Sequence, residues 1–171
     1  MTNLPELNEL PTDEFVDELK DIFEHSPWVA ERVVSNRPFG SVRSLHSAMV
    51  GAVGAASKRK QLELICAHPD LAGKAALAGE LTQSSTSEQA GAGLDSLDDG
   101  EFKEFHRLNS AYKSKFSFPF ILAVKGHDKL SILESFRTRL KNEVDEEHTE
   151  ALQQIGDIAR FRLEAMLNSR D

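Results

Sequence analysis

Apolar residues in this chain recur three and four positions apart over almost its whole length, a spacing that suits helices and little else. Phe15, Val16, Leu19, Ile22 and Phe23 form one stripe, and Leu45, Met49, Val50, Val53 and Ala56 a second. Phe102, Phe105, Leu108, Ala111 and Tyr112 form a third, and Leu130, Leu133, Phe136 and Leu140 a fourth. Leu152, Ile155, Ile158, Ala159, Leu163, Met166 and Leu167 make the longest. A run from Lys58 to Ala67 carries Leu62, Leu64 and Ile65, while Trp28, Val29, Val33 and Val34 predict a further short helix. Helix-starting residues precede these stripes: Thr12 before Asp13 and Glu14, Ser41 or Ser44, Asp98 three before Glu101, Asp128 or Ser131, and the acids 145–147. Pro27 ends the first stripe near Ser26, and Pro69 ends the run that reaches His68. Ala72 to Ser87 is small and polar and reads as a loop with room for a helical turn. Phe116 to Val124 is aromatic and branched but contains Pro119, so it reads as a short extended segment, not a central strand. The expected fold is all-α, a single compact multi-helix domain of about six to eight helices. It spans residues 12–168, after an N-terminal tail over residues 1–11.

Composition removes several functional classes. The 171 residues include 28 acids against 20 Lys and Arg, a formal net charge of −8. Nucleic-acid binders need a basic stripe to displace phosphate counterions, so no nucleic-acid partner is expected. Apolar residues at 40% and charged residues at 28% suit a folded globule. Cys66 is the only cysteine, which excludes an intrachain disulfide and a four-cysteine zinc site. No uncharged stretch approaches the ~20 apolar residues of a membrane helix, so no membrane partner is expected. The first six residues carry no basic leader, and the last four, Asn168-Ser169-Arg170-Asp171, are not a peroxisomal address. A cytoplasmic enzyme or binding module is the expectation.

Few local motifs carry chemistry. Six histidines lie at 25, 46, 68, 106, 127 and 148, with no pair at metal-ligand spacing, so no metal site is expected. Neither a phosphate loop nor a dinucleotide fingerprint occurs, and Cys66 reads as a small packing residue rather than a nucleophile for His68. His68-Pro69-Asp70-Leu71 places a histidine of fixed direction at a helix C-terminus, where the dipole favours the imidazolium. That suits a general acid or base, and equally suits a histidine that merely caps the helix. Ser84-Ser85-Thr86-Ser87-Glu88-Gln89 offers hydroxyls, a carboxylate and an amide, but Ser85-x-x-Glu88 and Thr86-x-x-Gln89 both have capping-box spacing. Cap and substrate site are compatible, because a helix N-terminus also attracts anions. Arg160 and Arg162 lie among apolar residues, so one should face inward and need a carboxylate, from the protein or from a ligand.

Taken in order, several blocks resemble one family. They are Glu24-His25-Ser26-Pro27-Trp28-Val29-Ala30-Glu31, Arg37-Pro38-Phe39, Ala67-His68-Pro69-Asp70-Leu71-Ala72-Gly73-Lys74, Ser85-Thr86-Ser87-Glu88-Gln89, Phe118-Pro119-Phe120-Ile121 and Arg162-Leu163. Together they resemble 2-oxo-4-hydroxy-4-carboxy-5-ureidoimidazoline (OHCU) decarboxylase, which forms (S)-allantoin in urate breakdown. Ser117 stands where that family's pattern has glycine. The resemblance implies catalytic roles for His68, as general acid/base, and for Glu88. It implies substrate contacts from Pro69, Ser85, Thr86, Ser87, Gln89 and Arg162, and from main-chain groups of Phe120, Ile121 and Leu122. It further implies no cofactor and no metal, a small-molecule partner (OHCU) and a homodimer. Two other readings stay open: a catalytically silent helical binding module for ureido or purine-like ligands, and a helical interaction protein in which His68 and Glu88 only cap helices.

Overall fold

A computed structural model describes residues 2–167. The expected domain end at residue 168 and the terminal Asn168-Ser169-Arg170-Asp171 lie outside the described residues. Those described form ten α-helices and one 3-10 turn, with no strand among them. The helices are α1 (Leu4–Glu9), α2 (Thr12–Leu19), α3 (Trp28–Val33), α4 (Val42–Gly54), α5 (Lys58–Cys66), α6 (Lys74–Leu77), α7 (Gln83–Gly91), α8 (Asp99–Phe116), α9 (Lys129–Arg139) and α10 (Val144–Leu167). The 3-10 turn, Val34–Asn36, extends α3. The all-α expectation holds. The helices outnumber the expected six to eight because α1 lies in the segment read as a tail, and α6 and α7 begin in the stretch read as a loop.

Several starts follow from capping chemistry. Ser41 and Ser44 form a reciprocal pair at the head of α4, as do Asp98 and Glu101 at α8 and Asp128 and Ser131 at α9. Each satisfies an N–H left free by the first helical turn. The N-terminal segment gains a helix the same way: the Asn3 side chain accepts from the Glu6 amide at 2.9 Å, and the Glu6 carboxylate accepts from the Asn3 amide at 3.1 Å. Leu7 is then fully buried, and the Asn8 carboxamide pairs with both main-chain groups of Phe39. Thr12 does not cap α2; Pro11 holds that position without a side-chain bond, and Thr12 is the first helical residue.

By backbone packing the chain divides into two compact units. The first runs to Ala67 and takes in the residues from Gly156 onward. Its core includes Leu7, Phe15, Leu19, Phe23, Val29, Leu45, Met49, Leu64 and Leu163, all buried, and α3 packs against α2 and α4. The second unit, His68–Ile155, holds α6 to α9 and the first half of α10. Its core is aromatic. Phe120 stacks on Phe136 with ring centroids 3.7 Å apart, and Tyr112 meets Phe116, Phe118, Phe120 and Phe136 at tilted or edge-on angles. Such offset and edge contacts add to what area burial alone contributes.

The segment after α8 departs from helix geometry as Pro119 predicts. It begins at Ser117, whose φ of 62° places it in the left-handed region that favours glycine. Residues 119–124 follow with no regular secondary structure, and Phe118, Phe120, Ile121, Leu122 and Val124 are buried.

Candidate active site

α5 stops at Cys66, Ala67 caps it, and His68 follows in a bend with only 8% of its surface exposed. Pro69 fixes the direction in which the chain leaves. The main chain beyond it is held by side chains from two other helices of the same unit. Gln89 on α7 accepts from the Ala72 amide at 3.0 Å and donates to the Asp70 carbonyl at 3.2 Å. Asn109 on α8 donates to the Leu71 carbonyl at 2.9 Å, and Lys113, one turn further, reaches the Asp70 carboxylate at 2.6 Å. Three consecutive residues of an irregular segment therefore have main-chain groups satisfied from distant parts of the sequence. The turn is tight: Ala72 has φ 52°, and a Cβ on Gly73 would lie 2.7 Å from that of Asp70.

α7 starts earlier than either capping register read from the sequence. Thr82 is the N-cap and accepts from the Ser85 amide, while Thr86 donates its hydroxyl back to the Thr82 carbonyl. Ser85 and Glu88 are therefore interior helical residues rather than a capping box, and so are Thr86 and Gln89. Ser85 and Gln89, four apart, share the buried face; Glu88 is half-buried, and Thr86 and Ser87 are exposed. Gln89, expected among the substrate contacts, has both ends of its amide engaged by the His68 segment.

Phe120 and Ile121 are held by a charged cluster that the sequence alone does not announce, and Leu122 follows them, buried. Glu147, in the first turn of α10, is fully buried, and its carboxylate accepts from Arg139, Tyr112 and Asn142. Arg139 spends one further N–H on the Ile121 carbonyl, and its guanidinium lies 4.4 Å from the Phe120 ring centroid. The amide of Ala123 donates to Gln154 at 2.9 Å. Burial pushes the Glu147 carboxyl up, but the bonds from Arg139, Tyr112 and Asn142 outweigh it and hold it below the usual carboxylate range. The Tyr112 phenol is pushed up, first by burial and then by its bond to Glu147.

Arg162 belongs to the first unit. It is the inward-facing arginine of the pair: its guanidinium lies 2.8 Å from the Glu24 carboxylate and donates to the Asp21 carbonyl. Arg160 pairs locally with Asp157 and Glu164. Cys66, read as a packing residue, is exposed, because Leu64 and Ile65 take the inner face of α5. Among the described residues no group of three His, Cys, Asp or Glu side chains is placed to hold a metal ion. No described helix is long and apolar enough to cross a membrane.

Comparison with known proteins places the chain among named relatives. A decarboxylase of Haloferax volcanii named for OHCU is 44% identical over 166 residues, spanning 97% of this chain and 96% of its own. The uric acid degradation bifunctional protein PucL of Bacillus subtilis is 42% identical across 99% of this chain, which spans 34% of that larger protein. A crystal structure of an (S)-allantoin synthase superposes with a TM-score of 0.81 at 32% identity, covering 99% of this chain and 56% of that one. The family pattern for OHCU decarboxylase matches residues 8–164, and with relatives this similar along nearly its whole length the chain belongs to the OHCU decarboxylase family.

Proposed function

We propose that this protein decarboxylates OHCU to (S)-allantoin in urate breakdown, without a cofactor, with His68 as general acid/base. The observation that carries the reading is the Gln89 carboxamide, which joins α7, next to Glu88, to the main chain two and four residues beyond His68. The main chain just beyond His68 and the helix that carries Glu88 are thereby tied together, which supports a shared role over two unrelated helix ends.

The chemistry asks little beyond proton handling. C4 of OHCU carries a carboxylate and a hydroxyl, and the neighbouring C5 is doubly bonded to nitrogen. When the C4–carboxylate bond breaks, CO2 leaves and its electron pair forms a C4–C5 double bond. The C5–nitrogen π pair moves onto nitrogen, which takes up one proton. The enol then loses its C4 hydroxyl proton and gains one at C5 on a single face, giving the carbonyl and stereocentre of (S)-allantoin. The substrate is its own electron sink, so a group such as pyridoxal has no step to perform. His68 is assigned the proton exchange and Glu88 the orientation of the substrate's hydroxyl and ring nitrogens. Main-chain groups of Phe120 to Leu122, in a segment already rigidified by Arg139, are assigned the amide-like edge of the substrate. The reading includes a cytoplasmic homodimer, which light scattering on the purified protein and fractionation of expressing cells would test.

OHCU generated enzymatically from urate, followed by circular dichroism, tests the activity. Wild type should give (S)-allantoin faster than the spontaneous, racemic decay, and a rate equal to that decay overturns the reading. His68→Asn should lose the rate gain with its helical signal intact. Glu88→Gln should lose activity with its helical signal intact, since Thr82, not Ser85 or Glu88, caps the helix.

A further inference from the structure

We infer that Asn109 is a positioning residue for His68, acting through the carbonyl of Leu71; the inference rests on the decarboxylase reading of the same site. The His68 segment has no ladder of its own to fix it, and the Asp70 carbonyl, the Leu71 carbonyl and the Ala72 amide are satisfied by Gln89 and Asn109. Gln89 grips both sides of Leu71, while Asn109 holds the residue in between from α8. Lys113, four residues on and on the same face of α8, ties down the Asp70 side chain.

What separates Asn109 from an ordinary buried polar residue is the other half of its amide. The side chain is 95% buried on the residue scale (5% exposed), and its Oδ1 accepts from no group among the described residues. A buried amide that uses only one of its two ends carries a cost that packing alone would not select. A residue of this size serving packing alone would be better as leucine, with neither amide group to satisfy. The amide is explained by what Nδ2 does: it fixes the Leu71 carbonyl, three residues beyond His68, in a turn already held in a left-handed conformation at Ala72. Displacing a proton-transfer group by about 1 Å lowers a rate on the order of a hundredfold.

The test compares two variants of the full chain with wild type. Asn109→Leu keeps the volume and removes both polar groups; Asn109→Asp keeps the shape and the acceptor but has no donor when ionised. In either folded variant kcat should fall at least about tenfold while KM stays within about threefold, because Asn109 bonds to Leu71, which is assigned no substrate contact, and the proton transfer is the step most sensitive to alignment. The side-chain nitrogen resonances of His68 should shift as well. Wild-type kcat with unmoved His68 resonances in a folded variant would overturn the inference, and so would a KM rise at constant kcat. If Asn109→Leu fails to fold, Asn109→Asp alone decides. An inactive wild type would refute the decarboxylase reading instead, and the His68 resonances would still report whether Asn109 positions the ring.

Discussion

Replacing Glu147 by glutamine preserves the shape of the buried cluster in the second unit and removes the charge that Arg139 was folded around. The carboxylate takes Arg139 Nε at 3.0 Å and Nη2 at 2.8 Å, Asn142 Nδ2 at 3.0 Å and the Tyr112 hydroxyl. Glutamine retains one acceptor oxygen but turns the other toward the cluster as a donor, so the 7%-exposed Arg139 is left with an uncompensated charge. Breaking a buried pair from one side is destabilising by about 3–5 kcal/mol. Retained bonds to the remaining oxygen place the expectation at the lower end, about 3 kcal/mol. The carboxyl is held below its usual range in the folded state. Its contribution is therefore complete above the unfolded pKa of about 4.3 and is lost as pH falls through the folded value. The gap between wild type and Glu147→Gln should be widest near neutrality and narrow on acidification. Urea unfolding measures it, and the probes separate themselves: Tyr112, the only tyrosine, lies in the second unit, and Trp28, the only tryptophan, in the first. A gap below about 1 kcal/mol at pH 7, or one that does not change on acidification, would refute the reasoning.

Two smaller substitutions probe backbone geometry. Ser117→Gly relieves the left-handed φ of 62° at the end of α8 and should stabilise the protein by roughly 0.5–1 kcal/mol, read as a rise in thermal midpoint; a fall would mean that the serine side chain contributes more than the strain takes away. Gly73→Ala forces a Cβ to within 2.7 Å of the Asp70 Cβ. Because that carbon is attached directly to the backbone, the turn itself must move, with a loss of about 1–3 kcal/mol and a lower kcat; unchanged thermal midpoint and turnover would show the turn to be more compliant than its contacts imply.

Long helices were legible because their inner faces are apolar: the stripes of α4, α8, α9 and α10 show in the sequence, and Ser41, Asp98 and Asp128 stand where their caps belong. α7 was legible only as a helix start placed three or four residues too late, because its inner face is polar. Ser85 and Gln89 are the buried pair at i and i+4, and a search for hydrophobic periodicity passes over them. Glu147 is hidden for a related reason. An acid in the first turn of a helix has a sufficient explanation in the helix dipole, so nothing local signals that it is buried against Arg139. His68-Pro69 stood out by its own chemistry, whereas Asn109 gains meaning only from a carbonyl thirty-eight residues away. The inward turn of Arg162 was foreseeable from the apolar run around it; Glu24 as its carboxylate was one choice among many acids.

The bonds that shape the His68 turn join residues 17, 19, 38 and 43 positions apart. None can form until α7 and α8 have docked, so each waits on non-local packing that the helices themselves do not need. The turn is thus among the last parts of its unit to acquire shape during folding. On refolding from urea the far-UV helical signal should return first, and catalytic competence should follow in a later phase. A newly made chain would pass through a helical but inactive interval, during which the histidine is already in place in the sequence and not yet in space.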